Sequence, residues 1–201
     1  MNGAGEFDPA KITAAILAGG AGSRLGGRDK GLQPLLGKPL VAHVVAAITG
    51  QAGNIVICIN RNKPEYEAYA ETCLDAAAGF RGPLAGITSA LRVGRRDWVL
   101  TLPVDGPSPP PDLAVRLWRA ATRAAARCAV AHDGTRRQPL FALYRRELYG
   151  TAATALTNDW SVWRWQDSCG AVEADFSEVP QAFANLNTVE DFRLWEARDH
   201  G

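Results

Sequence analysis

The segment from Leu17 to Leu32 carries the densest chemical signal in the chain. Six glycines fall in the thirteen residues from Gly19 to Gly31, directly after the apolar run Ile16-Leu17-Ala18. Without a Cβ, consecutive backbone N–H groups at Gly19, Gly20 and Gly22 can turn toward one anion and approach it closely. Arg24 and Lys30 add two cations to the same loop. This combination reads as a polyphosphate cradle at the carboxyl edge of a first strand, where open α/β sheets bind ligands. A flexible surface loop is the alternative, and it leaves the preceding strand and the two cations unexplained. Two familiar phosphate loops do not fit. The dinucleotide fingerprint needs a glycine where Leu25 stands, and the P-loop needs Lys-Ser/Thr where Arg28-Asp29 follows Gly27.

Asp105, in Leu102-Pro103-Val104-Asp105-Gly106-Pro107, follows a second apolar run. A carboxylate at the end of that strand would share the sheet edge with the glycine loop. It could hold Mg²⁺, which takes one or two carboxylates and completes its shell with substrate phosphates. Read alone, Asp-Gly-Pro is also an ordinary turn. Asp75 closes the stretch Cys73-Leu74-Asp75, a candidate third strand tip. No Ser-His-Asp or Cys-His constellation suggests a covalent nucleophile.

Strands must present these groups. Thr13–Ala18 and Ile55–Ile59 read as buried strands, and Trp98–Leu102 as another. Helices are expected from Pro39 to Ile48, from Pro64 to about Thr72, and from Ile87 to Val93. After Pro109-Pro110-Pro111 comes an amphipathic helix with Leu113, Leu117 and Ala121 on one face. Cys128–Ala131 and Leu140–Tyr144 read as antiparallel partners around the turn signal Asp133-Gly134. A helix near Glu147 to Leu156, a strand near Val172 to Phe176 and a C-terminal helix from Thr188 complete the pattern. The alternation predicts an α/β fold, a doubly wound, mostly parallel sheet with a mixed edge. One domain over 1–201 is expected, with residues 1–11 a loose extension.

Composition narrows the class. The 201 residues are 47% hydrophobic and 21% charged, with a net charge of +1. That excludes disordered, collagen-like and coiled-coil chains, and it argues against binding nucleic acid through its phosphates. No apolar run approaches the ~18 residues of a membrane span. The N-terminus has no basic stretch leading into an apolar core, so a cytoplasmic protein without membrane partners is expected. Cys58, Cys73, Cys128 and Cys169 are too scattered for a zinc site and read as reduced thiols. His43 is read as part of a helix face and His200 as a frayed terminus.

Taken together, Leu17–Leu32 with Gly26-Gly27-x-Asp29-Lys30-Gly31-Leu32 at its core resembles the molybdenum cofactor guanylyltransferases of the nucleotidyltransferase superfamily. Gly37-Lys38-Pro39-Leu40, Asn60-Arg61, Asp75, Gly82-Pro83-Leu84-Ala85-Gly86, the 103–107 segment and Asn185-Leu186-Asn187-Thr188 follow in family order. The resemblance covers nearly the whole chain. It implies transfer of GMP from GTP to a molybdopterin-type phosphate, with Mg²⁺ as cofactor and pyrophosphate as the second product. It further implies that Leu17, Ala18 and Gly19 meet guanine, with Gly20, Gly22 and Gly82 in the same GTP site. Lys30 would meet the phosphates, Asp75 the nucleoside and Asp105 the metal, and Lys30, Arg24 and Asp105 would be catalytic. Asn185 and Asn187 match the family's pterin-side pair, although Asn187 or Thr188 could instead cap the C-terminal helix. A molybdoenzyme or chaperone would receive the product. The sequence departs from the pattern at Cys58, where relatives often carry Asn, and at Trp160-Ser161, where they often carry basic residues. With Trp163 and Trp165, Trp160 could form a pterin wall or simply core. Transfer of CMP, transfer to a sugar phosphate, and a catalytically silent nucleotide-binding adaptor are the rival readings.

Overall fold

A computed structural model of the chain describes residues 6–19, 29–75 and 82–198. Gly20, Gly22 and Arg24 therefore lie outside the described residues, as does His200. Parallel strands β1 (Ile12–Leu17), β4 (Asn54–Ile59) and β6 (Trp98–Pro103) form the centre of a seven-stranded sheet. They end flush, with Leu17 opposite both Cys58 and Pro103. β5 (Glu71–Leu74) adds in parallel outside β4. Beyond β6 come β8 (Arg137–Arg145), β7 (Cys128–His132) and β9 (Val172–Asp175), giving the order β5-β4-β1-β6-β8-β7-β9. β8 alone runs against its neighbours. The reversed strand foreseen from the Asp133-Gly134 turn thus lies third from the edge, inside the sheet.

Successive strand residues point to opposite faces, and β1 shows the result. Ile12, Ala14 and Ile16 pack on one face with Val41, Val44 and Ile48 of α1 (Leu40–Ile48) and with Leu113, Leu117 and Ala121 of α4 (Leu113–Arg123). Ala15 faces the other side, with Ile87, Ala90 and Leu91 of α3 (Pro83–Val93), Ala152 of α5 (Tyr149–Thr157) and Trp165 of α6 (Val162–Ser168). Helices on both faces make the sheet doubly wound. Between β1 and α1 lies a small ribbon, β2 (Pro34–Leu35) and β3 (Lys38–Pro39). His43 does sit on a helix, with its Nε2 2.8 Å from the Leu35 carbonyl oxygen. The C-terminal α7 (Val189–Arg198) rests Phe192 and Trp195 against Leu35, Leu40 and Leu186. Among the described residues, no helix is long and apolar enough to cross a membrane.

Three expectations need correction. The helix expected to reach Thr72 is only α2 (Lys63–Glu67), because Glu71–Leu74 is drawn into pairing with β4. Helix α6 was not foreseen; Ser161 caps it by accepting from the Arg164 amide at 3.2 Å. Of the loose extension expected over 1–11, residues 6–11 are folded in. Phe7 meets Trp118 edge to face at 5.8 Å, and Asp8 caps the turn Pro9–Lys11.

Candidate active site

The site lies along the carboxyl edge of the sheet. At the end of β1, the Ala18 amide donates to the Cys58 carbonyl and the Leu17 carbonyl accepts from Val104, so the chain leaves between β4 and β6. A Cβ at Gly19 would overlap Asp75 Oδ2 and lie 3.1 Å from Asn60 Nδ2. Only glycine lets β1 exit so close to the tip of β5. Leu17, Ala18, Gly19 and Asp75, expected to meet the nucleotide, are therefore neighbours.

Asp75 follows β5 directly, its amide donating to the Ile59 carbonyl at 3.1 Å. Burial pushes its carboxyl up to about 6, a rise that the hydrogen bond from the Asn60 side chain only partly offsets. Its Oδ1 is buried without a hydrogen-bond partner among the described residues. A buried acceptor left unpaired is costly, and a ligand N–H would relieve that cost. Gly82 stands on the same rim. Its φ of +74° suits glycine, and it precedes α3, whose Gly86 lies beside both Leu17 and Asp75. Asn60 was noted in the sequence only as part of a motif. Its place over Gly19 makes it part of the notch, and the Asn60-Arg61 pair was the available signal.

Lys30 opens a 3-10 turn, Lys30–Leu32, that Asp29 caps through the Gly31 amide. Its Nζ is 2.6 Å from Asp105 Oδ2 and 2.6 Å from Asn187 Oδ1. The Lys30 and Asp105 side chains are each about one-fifth exposed, so the pair is partly desolvated yet open to a ligand. Asp105 follows β6, and its carbonyl accepts from the Leu186 amide at 2.9 Å, which pins the 185–187 segment to the site.

The helix-cap alternative is resolved here. Thr188 and Asp191 cap α7 reciprocally. The Asp191 amide donates to Thr188 Oγ1, while Asp191 Oδ2 accepts from the Asn187 and Thr188 amides. The Asn187 side chain is left to hold Lys30. Asn185 stands beside Gly106 and lines a cavity of about 260 Å³ with Pro103, Arg137, Gln138, Phe141 and Trp163. The three tryptophans divide. Trp165 is buried against Tyr144, and Trp160 packs beside the core under Arg164. Trp163, 40% exposed, faces the cavity with the Arg137 guanidinium 5.7 Å from its ring.

Among the described residues, no group of three His, Cys, Asp or Glu side chains could enclose a metal ion. Asp105 offers one carboxylate beside Lys30. That donor set suits Mg²⁺ held jointly with phosphate oxygens and does not suit a closed protein cage.

The chain is similar to known proteins along most of its length. A family model described as the MobA-like NTP transferase domain matches residues 14–172. A molybdenum cofactor guanylyltransferase of Yersinia pestis (strain Pestoides F) is 41% identical over 192 residues, covering 94% of this chain and 97% of its own. The counterpart in Yersinia pseudotuberculosis serotype O:3 is 40% identical, with the same coverage. Among solved structures, molybdopterin-guanine dinucleotide biosynthesis protein A from Archaeoglobus fulgidus superposes with a TM-score of 0.77 at 22% identity, over 94% of this chain and 98% of that one. The glycine exit at Gly19, the Lys30–Asp105 pair and the sheet order thus accompany sequence identity along almost the entire length, and the chain belongs to the MobA-like NTP transferase family.

Proposed function

We propose that this protein transfers GMP from GTP to the terminal phosphate of molybdenum-bound molybdopterin, releasing pyrophosphate and forming the guanine dinucleotide of the cofactor. The observation that carries this reading is the Lys30 ammonium, held between Asp105 and Asn187, with Asp75 Oδ1, an acceptor that has no partner among the described residues, on one side and a cavity on the other. The sheet order places these parts in sequence: Asp75 beyond β5, Gly19 beyond β1, Asp105 beyond β6, and the cavity at the start of β8. From β5 to β6 is three strand spacings, about 14 Å, a span that a nucleoside triphosphate can bridge. The names of the relatives supply the nucleotide and the acceptor.

A terminal phosphate oxygen of the pterin attacks the α-phosphorus. The bond from that phosphorus to the bridging oxygen breaks, and pyrophosphate carries away the electron pair. A phosphate monoester is already anionic, so the attack needs no protein base, and positioning with charge neutralisation carries the catalysis. Lys30 neutralises charge on the phosphates, and Asn187 keeps its ammonium aimed. The Asp75 carboxylate accepts from guanine N1–H and N2–H, a pair that adenine and cytosine do not offer. Asp105 would hold Mg²⁺, which when bound neutralises phosphate oxygens and orients them. Asn185, Arg137 and Trp163 form the acceptor side. Arg24, Gly20 and Gly22 are assigned to the triphosphate on their place in the motif. The four free thiols accord with work in a reducing cytoplasm.

Incubation with molybdenum-bound molybdopterin, Mg²⁺ and either GTP or CTP tests this reading. Pyrophosphate and dinucleotide should form with GTP and only weakly with CTP. A preference for CTP, or no pyrophosphate with either, overturns it.

A further inference from the structure

A lysine stem has four rotatable carbons, so a held ammonium also needs a held backbone. Asp29, immediately before Lys30, is built into that task. Its side chain is 9% exposed and serves both oxygens. Oδ1 accepts from the Gly31 amide at 3.2 Å and from the Tyr66 hydroxyl at 2.5 Å. Oδ2 accepts from Asn62 Nδ2 at 2.9 Å and lies 3.7 Å from Arg61 Nε. Apart from Gly31, these partners come from the segment after β4 and from α2, thirty or more residues along the chain.

Tyr66 is fully buried on α2, its ring within the main core cluster. Its hydroxyl stands where a Cβ of residue 31 would be, and Val104, next to Asp105, closes the same space. The turn that carries Lys30 therefore rests on the tyrosine hydroxyl. Burial and the adjacent Asp29 carboxylate push the Tyr66 phenol well up, so it remains a proton donor throughout the working pH range.

We propose that the Tyr66 hydroxyl is a positioning group for nucleotidyl transfer, fixing through Asp29 the turn from which Lys30 reaches Asp105, Asn187 and the phosphates. The proposal rests on the reading of Lys30 as a phosphate contact. Tyr66→Phe keeps the buried ring and removes only the donor. Among the described residues, Oδ1 of Asp29 is then left with the Gly31 amide, and the Lys30 turn loses its hydrogen bond from α2.

A double-mutant cycle with Lys30→Ala decides the matter, since coupling between two residues appears as non-additivity. Tyr66→Phe should lower kcat about tenfold, with KM for GTP within about twofold and a melting temperature within a few degrees of wild type. In the Lys30→Ala background the same change should cost less than about twofold more, because the ammonium it positions is gone. Equal fold losses in both backgrounds, or an unchanged kcat in Tyr66→Phe, overturn the proposal. An unchanged kcat in Lys30→Ala alone overturns the reading of Lys30 itself, and that result is distinct. Should Tyr66→Phe fail to fold, Asn62→Gly probes the other oxygen of Asp29 and suits the left-handed backbone there, φ 56°. The same kcat-specific loss, smaller in size, is expected, and none would count against the proposal.

Discussion

Asp75 and Gly19 share a single notch: the carboxylate oxygen Oδ2 of one occupies the space that any side chain on the other would fill. Fifty-six residues apart, they meet because β1 and β5 flank β4 and all three strands run the same way. Guanine recognition, on the reading proposed, depends on that closeness.

Gly19→Ala should therefore displace Asp75 and Asn60 without opening the sheet. KM for GTP is expected to rise about tenfold or more, as when a pocket's hydrogen-bonding groups lose their partners. Steady-state kinetics beside a thermal melt checks this; a near-normal KM would mean the notch is not where the base sits.

The raised Asp75 carboxyl gives this site a pH signature. Its free-enzyme value of about 6 lies above the unfolded value of ~3.9. The folded state therefore binds this proton more tightly, so the buried charge opposes folding above about pH 6, and that cost is relieved as pH falls toward ~4. Only the ionised form accepts both guanine protons, so KM for GTP should rise as pH falls through about 6. Asp75→Asn should flatten that rise and modestly stabilise the free protein at neutral pH. Asp75→Ala should erode selectivity for GTP over ATP; equal weakening of both nucleotides would move base recognition elsewhere.

Beside Lys30, Asp105→Asn should leave a folded protein whose turnover falls on the order of 10²-fold or more, the scale of losing a key electrostatic group. Lys30→Ala should lower kcat more than it raises KM. Lys30→Arg should restore little, because a planar guanidinium fits poorly between two oxygens each 2.6 Å from one nitrogen. Full activity in the arginine variant would contradict this geometry.

Asn187 and Thr188 should separate cleanly. Asn187→Ala removes one of the two acceptors that Lys30 has among the described residues and should lower kcat about tenfold with little change in melting temperature. Thr188→Ala removes a cap worth about 1 kcal/mol and should lower the melting temperature, with activity largely kept. The reverse pattern would return Asn187 to a capping role.

Much of this was legible in residue order. An apolar run ending in Gly19, and another ending just before Asp105, announce strand ends on one edge. The periodic Leu113, Leu117 and Ala121 announce the helix that covers the sheet. Asn187 was ambiguous because asparagine and threonine both cap helices, and only the Thr188–Asp191 exchange shows which residue does so. Tyr66 left no local trace. It serves Asp29 across 37 residues, and its spacing within α2 is that of any core aromatic. Trp163 and Trp165 are two residues apart on one short helix, so composition could not tell the cavity-facing ring from the buried one. The overlong helix toward Thr72 came from local pattern, which pairing with β4 overrode.

The Lys30 ammonium is tied to residues 75 and 157 positions away. Such contacts are slow to close, since loop entropy must be overcome before they form. A refolding chain can complete its central strands while Lys30 still lacks Asn187. Recovery of turnover should then lag recovery of β-structure, making catalysis a late reporter of the native topology.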